Sequence, residues 1–238
     1  MLEIIQPKKC EITDIFSSIQ GEGIFLGAKQ VFARFEACNL NCSYCDEKGR
    51  HAARQLTPLE LMSEIRFLEL SQGPHHSVSL TGGEPLMCAD FLKPFLKLLR
   101  KEKMKAYLET NGTLPEKLGE VIDLIDIVAM DIKLPSSTGE RAFWTESLAF
   151  LKIAARKKVF VKAVVTARTT TADIKKAASI VRRVDKHIPF IIQPASPARY
   201  GVKTVDNKIL LKFLEAGSRT KLDNVRVIPQ MHKVLGVK

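Results

Sequence analysis

From about Val31 to the C-terminus, short β-rich runs alternate with longer amphipathic stretches, and this alternation limits the possible folds more than any other property of the chain. Strand followed by helix, repeated, packs as βα units on a mainly parallel sheet. Strands are expected at 31–36, 77–80, 105–109, 127–130, 159–165, 190–193 and 225–228, and helices at 90–101, 140–156, 171–184 and 204–216. Thr57-Pro58-Leu59-Glu60 carries a capping residue, a proline at the first helical position and a glutamate at the third, which starts a further helix running to about 70. The expected class is α/β, with 1–238 as a single domain whose length suffices for a well-buried core.

Unusual residues follow the strands. Thr81-Gly82-Gly83-Glu84, Thr110-Asn111-Gly112, Asp131-Ile132-Lys133 and Gln193-Pro194 each stand just past a predicted strand. In parallel sheets and βα barrels the carboxyl ends of the strands form the face on which sites are built, so these groups are expected to converge.

The loop after the first predicted strand reads ACNLNCSYC and places Cys38, Cys42 and Cys45 in C-x3-C-x2-C spacing. Three thiolates on so short a loop suit three corners of a four-iron four-sulfur cluster and leave the fourth iron open for chemistry. A structural zinc site is the alternative, but it needs a fourth ligand, usually from a second pair, and no second C-x2-C or His pair follows. Cys10 and Cys88 have no partner at ligand spacing and read as small apolar fillers. With five cysteines, three of them in one loop, the chain fits a reducing compartment better than a disulfide scaffold. No segment approaches the roughly 20 apolar residues of a membrane span, and the N-terminus lacks a continuous apolar region, so the cytoplasm is the expected location.

The formal net charge is +11, yet the basic residues are scattered through helical patterns such as 97–105 and 175–183. Aromatic residues make up 7%, and no basic strip is interleaved with stacking side chains, so a solvated basic surface is expected rather than direct nucleic-acid binding.

The cysteine motif, together with Gly82-Gly83-Glu84-Pro85 one βα unit later, resembles the radical S-adenosylmethionine superfamily, whose fold is an open partial (β/α) barrel. The resemblance implies that the open iron binds the amino and carboxylate groups of S-adenosylmethionine and that the Gly83-Glu84 strand end receives its amino group. Ser18-Ile19-Gln20-Gly21-Glu22-Gly23, Ala37-Cys38-Asn39-Leu40, Glu109-Thr110-Asn111-Gly112-Thr113 and Pro229-Gln230-Met231-His232-Lys233 extend the similarity to the 7-carboxy-7-deazaguanine synthase family, from about Asp14 to the last residue. That family converts 6-carboxy-5,6,7,8-tetrahydropterin to 7-carboxy-7-deazaguanine, a ring contraction with loss of ammonia, in queuosine and archaeosine precursor biosynthesis.

Carried over residue by residue, the resemblance implies substrate contacts from Ile19, Gln20, Gly21, Glu22, Arg34, Thr81 and His232, and from Lys238 at the chain end. It implies cofactor contacts from Gly83, Glu84, Asp131, Ile132, Lys133, Gln193, Pro194, Ala195 and Ser196. Three positions depart from the family pattern. Asp131-Ile132-Lys133 stands for a serine-proline-lysine run, Lys238 for a terminal proline, and Cys45-Asp46-Glu47 for Cys-Asp-Thr, whose threonine serves a magnesium ion. Glu47 with Asp46 is chemically suited to Mg2+, and a solvated acidic pair is the alternative. The resemblance further implies a low-potential electron donor, flavodoxin or ferredoxin, and a homodimer. A glycyl-radical enzyme activase and a non-catalytic iron–sulfur protein are the rival readings.

Overall fold

The computed structural model describes residues 8–46, 52–196 and 205–237. The strands are β1 (Cys10–Ile19), β2 (Lys29–Phe35), β3 (Arg54–Leu56), β4 (Ser77–Gly82), β5 (Ala106–Thr110), β6 (Ile127–Asp131), β7 (Lys158–Val165), β8 (Phe190–Pro194) and β9 (Val225–Val227). The helices are α1 (Pro58–Gln72), α2 (Ala89–Lys101), α3 (Pro115–Val121), α4 (Pro135–Thr138), α5 (Trp144–Ala154), α6 (Thr171–Val184), α7 (Asn207–Ser218) and α8 (Met231–Leu235). One sheet runs in the order β3-β1-β2-β4-β5-β6-β7-β8-β9. Neighbours from β2 through β9 are parallel, whereas β1 is antiparallel to both β2 and β3. Because β3 and β9 are the two edges among the described residues and do not pair with each other, the sheet is an open α/β array and not a closed barrel.

Every strand expected from the alternation is present, with ends within two residues of the expected ones. α1 begins on a complete capping box: Thr57 Oγ1 accepts from the Glu60 backbone N–H, and Glu60 Oε2 accepts from the Thr57 N–H at 2.7 Å. The helix expected at 140–156 starts at Trp144, because α4 precedes it and stops at Gly139 in the left-handed region (φ 78°). β1 was not expected. Most of its residues are half-buried, so it lacks the clean two-residue alternation of a strand with one wet face.

β1 also corrects the reading of two cysteines. Cys10 and Cys88, expected as unbonded fillers, are joined by a disulfide. Antiparallel pairing with β2 carries Cys10 to the turn that precedes α2, so residues 78 positions apart meet with Cα atoms 6.6 Å apart. Spacing along the chain gave no sign of this encounter.

Side chains of the central strands alternate between two layers. Leu80, Leu108, Val128, Met130, Val161, Ala163 and Ile192 point into the main core with Phe91, Phe95, Leu118, Phe150, Ile174 and Phe213 from the helices and connections. The opposite face starts apolar at the amino ends of the strands, where Tyr107, Ile127, Ala129, Phe160 and Ile191 pack together against Phe25. Two residues further along, the same face turns polar with Glu109, Asp131, Lys162 and Gln193. The apolar layer is thus the floor on which the polar layer rests. No described helix is long and apolar enough to cross a membrane.

Candidate active site

The polar layer opens into a cavity of about 410 Å³ at the carboxyl ends of the strands. Its walls include the cysteine loop, the turn after β1 and the chain around α8. Of the expected site residues, Ile19, Gln20, Gly21, Glu22, Arg34, Cys38, Cys42, Cys45, Asp46, Thr81, Gly83, Asp131, Lys133, Gln193, Ala195, Ser196 and His232 all line it. Ile132 instead lies in the main core and Pro194 ends β8 beside the cavity. Glu47 and Lys238 fall outside the described residues.

The cysteine loop is clamped at several points. The Ser43 N–H donates to Thr138 O and its hydroxyl to Ser137 O, both at 2.9 Å. Asn39 accepts from Asn111 Nδ2 at 2.8 Å and donates to Thr113 Oγ1 at 2.9 Å, which ties the loop to the turn after β5. Burial pushes the Cys42 thiol up to about 11 and raises that of Cys38, with the Lys133 ammonium acting in the opposite sense. Such thiols stay protonated until a metal displaces the proton. Among the described residues no three His, Cys, Asp or Glu side chains form a ready metal cage, so the fit to an iron–sulfur cluster rests on the donor set. That set is three thiols on one loop facing one cavity, suited to soft, thiolate-bound iron.

The glycine pair brings β4 against the chain leaving β2. A Cβ on Gly83 would lie 2.3 Å from the Ala37 carbonyl oxygen, and Gly82 has a φ of 102° that side chains rarely adopt. Gly83 N–H donates to Phe35 O and Glu84 N–H to Ala37 O, both at 2.7 Å, so this contact fixes the start of the cysteine loop. Glu84 was expected at the cofactor but does not line the cavity. Its fully buried carboxylate accepts from Thr110 Oγ1 at 2.9 Å, the Asn111 N–H at 2.7 Å and the Leu86 N–H at 3.1 Å, fastening the end of β4 to that of β5. Burial pushes it up to about 7 against those hydrogen bonds.

Two networks occupy the polar layer. In one, Gln20 Nε2 donates to Gln30 Oε1 and Glu109 Oε1 at 2.9 Å, while Ser79 and Thr81 donate to Glu109 at 3.1 Å. In the other, Lys162 is ion-paired with Glu22 and stands 4.0 Å from Asp131, which pairs with Lys133 at 2.9 Å. Burial works against the Glu22 charge, but Lys162 and a 2.8 Å bond from Gln230 Nε2 bring its carboxyl down to about 2. Asp131 Oδ1 and Gln193 Oε1 are buried with no hydrogen-bond partner among the described residues. Buried acceptors of this kind call for donors from a ligand, and hydroxyl or amine groups of S-adenosylmethionine fit them.

Arg34 lies on the cavity wall with its guanidinium 5.4 Å from the centre of the Phe16 ring. Gly21 leaves room for His232, whose Nδ1 would be 2.2 Å from a Cβ there; burial lowers the pKa of that imidazole. Asp46 is ion-paired with Lys233, binding the cysteine loop to α8. The sequence reading assigned no role to Glu109, Lys162, Gln230 or Tyr44. Glu109 and Gln230 lay within quoted motifs, but Lys162 sits in the run Lys158–Val165, where the only hint was a lysine amid apolar residues.

Residues 33–184 match the family model for the radical SAM superfamily. The chain is 38% identical to a 7-carboxy-7-deazaguanine synthase from Geobacter sulfurreducens, over 95% of this chain and 97% of the relative. A 7-carboxy-7-deazaguanine synthase from Methanothermobacter thermautotrophicus is 35% identical over 97% and 98%. The chain belongs to the 7-carboxy-7-deazaguanine synthase family of radical SAM proteins. The crystal structure of QueE from Escherichia coli superposes with a TM-score of 0.63 at 19% identity, covering 93% of this chain and 94% of that one, which shows a shared fold. The cysteine loop and the glycine pair that meet at this cavity both lie within the matched residues.

Proposed function

We propose that the chain converts 6-carboxy-5,6,7,8-tetrahydropterin to 7-carboxy-7-deazaguanine, as a carbon–nitrogen lyase with a 4Fe–4S cluster and S-adenosylmethionine. The observation that carries this reading is one cavity with three thiols on one wall and, on another, a cation and an anion suited to a carboxylated pterin. Cys38, Cys42 and Cys45 would hold the cluster. When bound, the cluster and S-adenosylmethionine supply the one-electron chemistry that begins with hydrogen abstraction from the substrate.

The protein's own part is positioning and charge. Arg34 offers a planar fork to the substrate carboxylate, and Glu22, charged at any physiological pH, accepts from the N–H groups of the aminopyrimidinone edge. Gln20, Thr81 and His232 complete that half of the cavity. On the cofactor side, Asp131 Oδ1 and Gln193 Oε1 await donors, Lys133 supplies a cation, and Gly83 presents backbone without a side chain. The dry floor beneath strengthens these interactions by excluding water.

A flavodoxin or ferredoxin donor, a homodimer and a cytoplasmic location belong to the same reading. Magnesium on Glu47 and Asp46 has less support, since Asp46 is engaged by Lys233, and no step is assigned to it. Reduced, reconstituted protein incubated with the pterin and S-adenosylmethionine should give the deazaguanine by mass. Arg34→Ala should weaken pterin binding at least ~30-fold, the cost of a lost buried charge pair, while S-adenosylmethionine binding changes little. No product from the wild type would refute the reading.

A further inference from the structure

Lys162 is a charged residue of the site that no sequence motif accounts for, and its surroundings define a role for it. It stands on β7 with 8% of its surface exposed, at the register position opposite Asp131 on β6. An ammonium placed there has lost most of its hydration, and among the described residues carboxylates offset that loss. Three face it: Glu22, in contact; Asp131, at 4.0 Å; and Glu109 from β5. Asp131 already has Lys133, and Glu109 is held by neutral donors from Gln20, Ser79 and Thr81.

Among the described residues Glu22 has no second cation in contact. Gln230 holds its Oε1 and Lys162 its Oε2, while His232 faces it from α8 as an imidazole whose pKa burial lowers. The Tyr107 hydroxyl also faces this carboxylate, and burial, together with Glu109 and Glu22, keeps that phenol protonated. Arg34 on β2 faces His232 and lowers the pKa of its imidazole further.

We propose that Lys162 is a positioning residue, a fixed counter-cation that keeps the Glu22 carboxylate charged and aimed into the substrate half of the cavity. The proposal deepens the functional reading above and rests on it for the identity of the ligand. An edge of two adjacent donors, such as the N–H groups of an aminopyrimidinone, is met in full by a carboxylate whose two oxygens both accept. A protonated Glu22 would place an O–H where the ligand places N–H, so affinity would fall as pH falls through the Glu22 titration. With Lys162 in place that titration lies far below the working range. Without it, the Gln230 hydrogen bond and His232 are what remain against burial among the described residues, and the titration moves upward.

The test is pterin binding by calorimetry to the reconstituted holoenzyme between pH 5.5 and 8.5. Steps from the ligand are common to every variant, and Glu22→Gln alone shows the His232 step without the carboxylate beside it. Lys162→Met should add a step of its own, binding at least ~10-fold more weakly at the acid end and recovering with rising pH. Lys162→Arg should follow the wild type, and Glu22→Gln/Lys162→Met should lose the added step. Should the Met variant fail to fold, Lys162→Gln carries the same prediction, since it keeps a donor without the charge. A pH profile parallel to wild type in the uncharged variants would overturn the proposal even if binding were uniformly weaker. Carbon-13 titration of the Glu22 carboxyl in ligand-free protein decides the matter separately from the function: an unchanged titration in Lys162→Met refutes the role of Lys162. Failure of the wild type to bind the pterin at all refutes only the functional reading.

Discussion

Gly83→Ala should be among the most damaging single-methyl additions to this protein. The new Cβ would lie 2.3 Å from Ala37 O, 2.7 Å from Ala37 C and 2.7 Å from Glu36 O, all backbone atoms, so no side-chain rotation relieves the overlap. Relief requires separating the end of β4 from the chain leaving β2, which breaks the bonds from Gly83 N–H to Phe35 O and from Glu84 N–H to Ala37 O. Two buried backbone hydrogen bonds at about 1 kcal/mol each, with about 1–3 kcal/mol for overpacking, give about 3–5 kcal/mol. For a domain of this size that is a drop in Tm of about 6–20 °C. The displaced atoms immediately precede Cys38, so iron and sulfide bound per chain should fall as well. Gly119→Ala is the internal control, because nothing lies within 4 Å of its added Cβ. Differential scanning calorimetry and iron–sulfide analysis read both effects. If Gly83→Ala melted with Gly119→Ala and loaded a full cluster, the close approach of β2 and β4 would not be what holds the cysteine loop.

Three further outcomes are expected. Cys38→Ala, Cys42→Ala or Cys45→Ala should each prevent cluster assembly, whereas Cys10→Ser/Cys88→Ser should load iron and sulfide normally; full loading of a Cys45→Ala protein would remove the assignment. The Cys10–Cys88 bridge closes a loop of 78 residues, for which the chain-entropy relation gives about 4.5 kcal/mol. The double serine variant should therefore melt lower than the wild type without reductant and match it with dithiothreitol, and equal melting in both conditions would show that the bridge does not form. Glu84 has a folded-state carboxyl raised from 4.5 to about 7, so the native state holds the proton more tightly than the unfolded chain. Its contribution is complete below pH 4.5 and fades as pH rises to about 7, a loss on the order of 3 kcal/mol. Urea midpoints across that range should fall more steeply for the wild type than for Glu84→Gln, and parallel curves would contradict the burial account.

Local features of the chain decided much of this molecule. The run Thr57-Pro58-Leu59-Glu60 starts α1 because a capping box needs only residues three apart, and Thr171–Val184 is a helix because its apolar residues recur at the helical period. Cys38, Cys42 and Cys45 face one cavity because they share one short loop. Gly82 and Gly83 were legible for a similar reason: a bare backbone after a strand signals close approach.

Tertiary structure alone decided which strand positions face the cavity. β6 is buried at all of its positions, so its sequence carries no alternation to say that Asp131 turns toward the site and Met130 toward the core. Lys162 acquires its meaning from parallel register with β6 and from Glu22, 140 residues away in sequence. Cys10 meets Cys88 only because an antiparallel strand doubles back beside β2, and Glu84 turns from the cavity toward Thr110 and Asn111 because β5 lies beside β4. Spacing along a chain fixes what one loop or one helix can do, whereas pairing between distant strands fixes which charges meet. In this protein the sequence therefore determined that three thiols share one loop at the cavity, and the fold determined the network of carboxylates and ammonium groups beside them.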